Sequence, residues 1–311
     1  MNRKSGFYPA FILVVCMLLI SIAVLWDPAA AQEKSTQHFQ KPQKLVIGIQ
    51  PETNMFQQRK AYKALGRYIA KFLDIDVYIY TLPHYTDIFE AFNEGVIDAA
   101  FLGSFSYVLM RDVFPVEILA RPVWADSSST YRGYIFARRD SGIRTVADMK
   151  GKSLVLVDKA TTAGYLYPVL FMKEHGIDDI ENFFSHVYFS GSQDGSAWAV
   201  YIGEAQVGAC KDRVYLSLAE EYPEFKEQMI VLAESSEVPS NGFGVRSDLD
   251  KAVKEKLRDL LLSLDKSKEG RSALKDLGAV GFIPAGEEDY IPLYRMIDNL
   301  KLDLDIFLER N

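Results

Sequence analysis

Three short segments place hydroxyl, glycine and amide residues where an oxyanion could be held: Gly103-Ser104-Phe105-Ser106-Tyr107, Thr161-Thr162-Ala163-Gly164-Tyr165 and Ser190-Gly191-Ser192-Gln193-Asp194. Each follows a β-rich run and opens a helical stretch. The first turn of a helix has backbone N–H groups without intrahelical partners and a partial positive charge. It therefore attracts anions, and Ser or Thr hydroxyls add neutral donors. Taken singly, each segment reads better as ordinary N-capping. Three of them on the carboxyl side of their strands point to a shared site. Tyr85 and Tyr131 stand where helical and extended stretches begin, so their hydroxyls can donate to an anion while the rings enclose it. Trp124 and Trp198 are expected in the core.

Catalytic chemistry finds no comparable support. The chain has no G-x-G-x-x-G, P-loop, H-E-x-x-H or G-x-S-x-G motif. Of the four histidines, only His84 neighbours a candidate cleft residue; His38, His175 and His186 fall in polar or element-end positions. Cys210 ends an apolar strand with no base nearby, and Asp178-Asp179 reads as a solvated turn. No catalytic residue, metal site or cofactor is expected.

The elements that must carry these residues alternate. Residues 45–49, 77–80 and 97–102 read as buried strands, with helical spacing over 56–72 and 85–93, a βαβαβ series that implies a mostly parallel sheet. Strands at 153–157, 187–189 and 207–210 and helices at 164–175 and 196–201 repeat the design, giving two α/β lobes. Two extended stretches, 131–138 and 242–246, are expected to cross between them. Lobe one then comprises 44–139 and 242–311, lobe two 140–241. Leu257, Leu260, Leu261 and Leu264 form an apolar stripe expected to pack on lobe one. Two lobes joined by crossing strands make a hinge, and ligands of open α/β sheets bind beyond the carboxyl ends of strands.

Residues 1–31 differ from the rest. Arg3 and Lys4 precede an apolar run from Phe11 to Trp26, and Ala29-Ala30-Ala31 offers a small-residue cleavage pattern, which together read as a secretory signal peptide cut after Ala31. Cys16 lies inside the apolar run behind bulky Val14 and Val15, so lipidation is not expected, and the run is short for a membrane span. Residues 32–43 read as a polar tether. Loss of Arg3, Lys4 and Asp27 takes the formal charge of the 311-residue chain from −7 to −8. That acidity, without any long Lys/Arg block, argues against nucleic acid. With Cys210 alone remaining, no internal disulfide can form.

Six segments in order resemble the periplasmic phosphate/phosphite/phosphonate-binding proteins of ABC transporters. They are GIQPE (48–52), YTDIFEAFNEGVIDAAFLGSFSY (85–107), YRGYIFARRDSGI (131–143), DMKGKSLVLVDKATTAGYL (148–166), FSGSQDGSAWAV (189–200) and VPSNGFGVRSDL (238–249). The resemblance implies a two-lobed type II periplasmic binding protein fold with two mixed sheets flanked by helices, and a periplasmic location. It also implies an ABC permease as partner.

Under this resemblance Tyr85 and Tyr131 match the two cleft tyrosines, and Thr161-Thr162-Ala163-Gly164 stands for the family's S-T-S-G turn. Gln193 replaces the histidine that follows the S-G-x step. Asn241 replaces an acidic residue associated with amine-bearing ligands, and a second acidic position falls near Lys211-Asp212. An aminoalkylphosphonate needs a carboxylate for its ammonium, and Asn offers none. The expected ligand contacts are Tyr85, Ser104, Tyr131, Thr161, Thr162, Gly164, Gln193 and Asn241. The expected function is capture of a small phosphate-like or phosphonate oxyanion by a monomer; the alternatives are a receptor for a sensor kinase or chemoreceptor, and a secreted enzyme on the same fold.

Overall fold

A computed structural model of the protein describes residues 44–302 and Leu304. The expected signal peptide and tether lie outside the described residues. The strands in chain order are β1 (Lys44–Ile49), β2 (Asp76–Thr81), β3 (Ala99–Leu102), β4 (Val116–Trp124), β5 (Thr130–Tyr131), β6 (Gly133–Arg138), β7 (Ser153–Leu156), β8 (His186–Phe189), β9 (Val207–Lys211), β10 (Met229–Glu234), β11 (Val238–Pro239), β12 (Gly242–Arg246) and β13 (Ala279–Pro284).

They form a six-stranded sheet of order β13-β4-β12-β3-β1-β2, a five-stranded sheet of order β10-β6-β9-β7-β8, and a two-stranded ribbon of β11 with β5. In the first sheet β1 runs parallel to β2 and β3, while β12 and β13 pair antiparallel. In the second, β7 is parallel to β8 and β9, and β6 is antiparallel to both of its neighbours. Both sheets are mixed, as expected. The parallel pairs arise from helical crossovers such as Met55–Leu73, which Asn54 caps by accepting from the Phe56 and Gln57 N–H groups at 3.1 and 3.3 Å.

The crossings differ from the sequence expectation. The chain passes between sheets only at β5 and β11, two residues each, paired Val238 to Tyr131 and Pro239 to Thr130. Residues 133–138, assigned above to lobe one, pair with β9 and β10 inside the second sheet. Residues 242–246 sit between β3 and β4 in the first. Ile135, Phe136, Ala137, Phe243 and Val245 are each buried, which is what a central strand covered on both faces requires. The mainly helical tail also contributes a strand, β13, to the edge beside β4.

Ile47, Leu65, Phe101, Phe243 and the stripe Leu257, Leu260, Leu261 and Leu264 form one buried cluster on the six-stranded sheet. Each such leucine contributes on the order of 2 kcal/mol by leaving water. A second cluster, around Ile135, Leu154 and Met172, serves the five-stranded sheet. A third contains Tyr85 and Phe105 of the first lobe with Tyr131 of the ribbon and Val157 and Ala163 of the second, so apolar packing is continuous across the cleft.

Candidate ligand-binding cleft

The wall contributed by the six-stranded sheet is organised by Gln50, which follows β1 and is 1% exposed. Its Nε2 donates to the Tyr85 carbonyl at 3.1 Å and to Ser106 Oγ at 2.8 Å, while its Oε1 accepts from Gly103 N–H at 2.9 Å. One buried amide thereby fixes three loops, and with them Tyr85 and the start of helix Ser104–Val113. That helix begins at the carboxyl end of β3, with Gly103 as its N-cap.

The opposite wall rests on the turn after β7. Thr161 Oγ1 donates to the Asp158 carbonyl at 2.6 Å, so this hydroxyl stabilises its own turn. Thr162 Oγ1 instead accepts from Phe105 N–H at 3.1 Å, across the cleft. Gly164 packs against Val157: a β-carbon here would lie 2.4 Å from Val157 Cβ, so glycine is required by close approach. Helix Gln193–Tyr201 begins after β8, with Ser192 Oγ accepting from Gly195 N–H at 3.1 Å. Gln193 is fully buried; its Oε1 accepts from Lys211 N–H at 2.9 Å, which turns its NH₂ toward the Tyr85 hydroxyl, 3.4 Å away. The Gln193 N–H donates to the Glu52 carbonyl at 2.9 Å.

Between the walls, Ser104 Oγ lies 3.2 Å from the Tyr131 hydroxyl and donates to the Pro239 carbonyl, so both ribbon strands touch it. Ser106 Oγ donates to the Ala160 carbonyl at 2.9 Å. On the outer side of Tyr131 stands an ion pair: Lys211 Nζ bonds the Glu52 carboxylate, donates to Asn241 Oδ1 at 2.7 Å and lies 4.7 Å from the centre of the Tyr131 ring. Asn241 Nδ2 donates to Glu52 Oε1 at 2.9 Å. Beyond this group opens a cavity of about 650 Å³ bordered by Glu52, Trp124, Tyr131, Lys211, Arg213 and Asn241.

Burial, and next the nearby Glu52 carboxylate, raise the Tyr85 pKa well above its ordinary value. Burial also raises that of Tyr131, opposed in part by the Lys211 ammonium and by hydrogen bonds from Ser104 and Thr162. Both phenols are therefore neutral at physiological pH and keep their O–H donors. Burial pushes the Cys210 thiol well above its ordinary range. Among the described residues no group of three or more His, Cys, Asp or Glu could hold a metal.

Of the residues expected from sequence, Tyr85, Ser104, Tyr131, Thr162, Gln193 and Asn241 meet in this cleft. Thr161 adjoins it with its hydroxyl turned away, and Gly164 acts through packing. Trp198 is a core residue, stacked edge-on with Tyr201, Tyr222 and Phe225. Trp124, half-buried against the core of the six-stranded sheet, also borders the cavity, its Nε1 donating to Ser240 Oγ at 2.7 Å and its ring 5.0 Å from the Arg213 guanidinium. Gln50, Glu52, Ser106 and Lys211 were not anticipated as contacts. The available signal for Lys211 was a charged residue ending the apolar run Val207–Lys211, at the carboxyl end of a strand.

The family model of ABC transporter, phosphonate, periplasmic substrate-binding proteins matches residues 47–290. The chain belongs to this family. Among its curated relatives, the phosphonates-binding periplasmic protein of Escherichia coli (strain K12) is 22% identical over 89% of this chain and 81% of its own. The phosphate-import protein of Mycolicibacterium smegmatis is 24% identical over 86% and 90%. The crystal structure of a Prochlorococcus marinus (MIT 9301) protein in complex with methylphosphonate superposes with a TM-score of 0.76 at 20% identity, covering 84% of this chain and 99% of that one. The mixed sheets and two-strand ribbon are thus those of a type II periplasmic binding protein. As a family member, the protein is a periplasmic substrate-binding protein of the phosphonate ABC transporter type. Among the described residues no helix is long and apolar enough to cross a membrane.

Proposed function

We propose that this phosphonate-family binding protein seats a small phosphorus oxyanion between Ser104, Thr162, Tyr131, Tyr85, Gln193 and the Phe105 N–H, and delivers it to an ABC permease. The observation that carries this reading is the bond from Phe105 N–H to Thr162 Oγ1, which joins a backbone donor of one wall to a hydroxyl of the other. An oxyanion entering here replaces this donor-to-acceptor bond with donations from Phe105 N–H and from the Thr162 hydroxyl, so the ligand itself bridges the two walls. The lobes turn about the β5/β11 ribbon, lobe one being 44–131 with 239–302 and lobe two 132–238. Every donor in this set is neutral, which suits a chain of net charge −7 that would otherwise repel an anion. The relatives named for phosphonates and phosphate and the neighbour in complex with methylphosphonate support a tetrahedral phosphorus ligand.

Catalysis is not part of the proposal. Ser104 has a phenol and a carbonyl as partners, neither a base, and Cys210 is buried and protonated. The protein works in the periplasm as a monomer after cleavage following Ala31.

Thermal denaturation with phosphate, phosphite, sulfate, methylphosphonate and small carboxylates tests this. A ligand at 100 times its Kd stabilises the native state by about 2.7 kcal/mol, equivalent to a Tm rise of several degrees. Phosphorus oxyanions are expected to give it. Stabilisation by carboxylates or cations alone would overturn the reading.

A further inference from the structure

We infer that Lys211 fills, with the protein's own ammonium, a cation subsite beside the oxyanion seat, and thereby selects ligands that carry no amine. The inference rests on the phosphorus-oxyanion reading of the cleft and concerns what lies next to the phosphorus group.

An ammonium is held by a carboxylate, by neutral carbonyl oxygens and by the face of an aromatic ring. All three converge on one point here: the Glu52 carboxylate, Asn241 Oδ1 at 2.7 Å and the Tyr131 ring at 4.7 Å. Asn241 is locked in the orientation that presents its oxygen, because its Nδ2 donates to Glu52. The occupant of that point is Lys211 Nζ, on a side chain only 9% exposed, while Glu52 retains 21%.

The point adjoins the oxyanion seat through a single residue. The Tyr131 hydroxyl lies 3.2 Å from Ser104 Oγ, and its ring face meets the ammonium. A phosphonate bearing an amine on a short alkyl arm would therefore place its own ammonium where Lys211 Nζ already is. In a buried site two like charges repel strongly, and Lys211 cannot withdraw its backbone, since its N–H is bonded to Gln193 Oε1 at 2.9 Å. Phosphate, phosphite and methylphosphonate leave the Glu52–Lys211 pair intact and meet a wall already neutralised.

Calorimetric titration of the wild type, Lys211→Ala and Lys211→Ala/Glu52→Gln with phosphate, methylphosphonate, 2-aminoethylphosphonate and phosphonoacetate tests the inference. The wild type is expected to bind phosphate or methylphosphonate at least about tenfold more tightly than 2-aminoethylphosphonate. Lys211→Ala should gain at least about tenfold for 2-aminoethylphosphonate, and that ligand alone should raise the variant's Tm beyond the effect of methylphosphonate. The double variant should lose the gain. Lys211→Ser takes the place of the alanine variant if the latter does not fold. Binding of methylphosphonate by both proteins with no gain for the amine overturns the inference and leaves the oxyanion reading standing. A wild-type preference for phosphonoacetate that disappears in Lys211→Ala overturns it too, because Lys211 would then be a ligand contact for an anion. Absence of binding by every phosphorus oxyanion to every protein overturns the oxyanion reading, and the inference with it.

Discussion

Phe105 N–H and Thr162 Oγ1 meet at 3.1 Å across 57 residues of chain, one at the head of a helix behind β3 and the other in the turn after β7. Each comes from a different sheet, so the bond exists only while the lobes are closed. An anion seated between these atoms, as proposed, would accept from Phe105 N–H and from the Thr162 hydroxyl in place of this bond, which would tie its affinity to closure.

Thr162→Val tests this directly. The substitution keeps the shape and removes the hydroxyl, leaving Phe105 N–H without this acceptor and a bound anion without one donor. Methylphosphonate affinity should fall by about 1–3 kcal/mol, roughly 5- to 150-fold. Thr161→Val should change affinity less, because the Thr161 hydroxyl serves the Asp158 carbonyl. Parallel calorimetry of the two variants decides; equal losses would make the turn, and not the Thr162 hydroxyl, the determinant.

Gly164→Ala should disturb the same turn through sterics. The new β-carbon would lie 2.4 Å from Val157 Cβ, on a strand end that cannot yield independently, since Val157 N–H donates to the Gly164 carbonyl at 3.1 Å. Overpacking of this kind costs about 1–3 kcal/mol. Urea unfolding should show a lower midpoint, accompanied by weakened binding as Thr162 is displaced. Unchanged stability would mean that the turn relaxes freely.

Alkaline pH should destabilise the protein in a defined way. Burial raises the pKa values of Tyr85 and Tyr131, and pushes those of Tyr107 and Tyr215 up to about 12. A group whose folded pKa is raised gives stability that is fully present below its unfolded value, near 10 for tyrosine, and is lost as pH rises through the folded value. Stability should therefore be insensitive to these phenols from pH 7 to 9 and fall from about pH 10 upward. Tyr131→Phe should shallow that fall when urea midpoints are measured across the range; an identical slope would remove Tyr131 from the account.

The polar residues that meet between the sheets were legible because their signals are local. Ser104, Thr162 and Gln193 each mark a strand-to-helix junction, and Tyr85 and Tyr131 lie beside element ends, so alternation and turn chemistry sufficed to single them out. The crossings at Thr130–Tyr131 and Val238–Pro239 escaped because two residues carry no periodicity, while the longer apolar runs beside them drew the assignment. The Glu52–Lys211 pair escaped for a different reason: its partners are 159 residues apart, and nothing near either residue announces the other. The sequence marks Asn241 as a lost acid and a candidate ligand contact; in the fold its oxygen faces the ammonium and its NH₂ faces Glu52.

A double-mutant cycle on that pair gives the last expectation. Glu52→Gln alone leaves Lys211 charged, 9% exposed and without its carboxylate, so it should be the costlier change, about 1–3 kcal/mol after allowance for the partial exposure of Glu52. Lys211→Met alone leaves Glu52 able to turn toward solvent and to keep Asn241 Nδ2, and should cost less. Glu52→Gln/Lys211→Met removes both charges and keeps the apolar stem over the Tyr131 ring, so its loss should be smaller than the sum of the single changes. Unfolding free energies for the four proteins at one pH provide the measurement. Strict additivity would show that the two charges are energetically independent, and that the contact between the lobes owes nothing to their attraction.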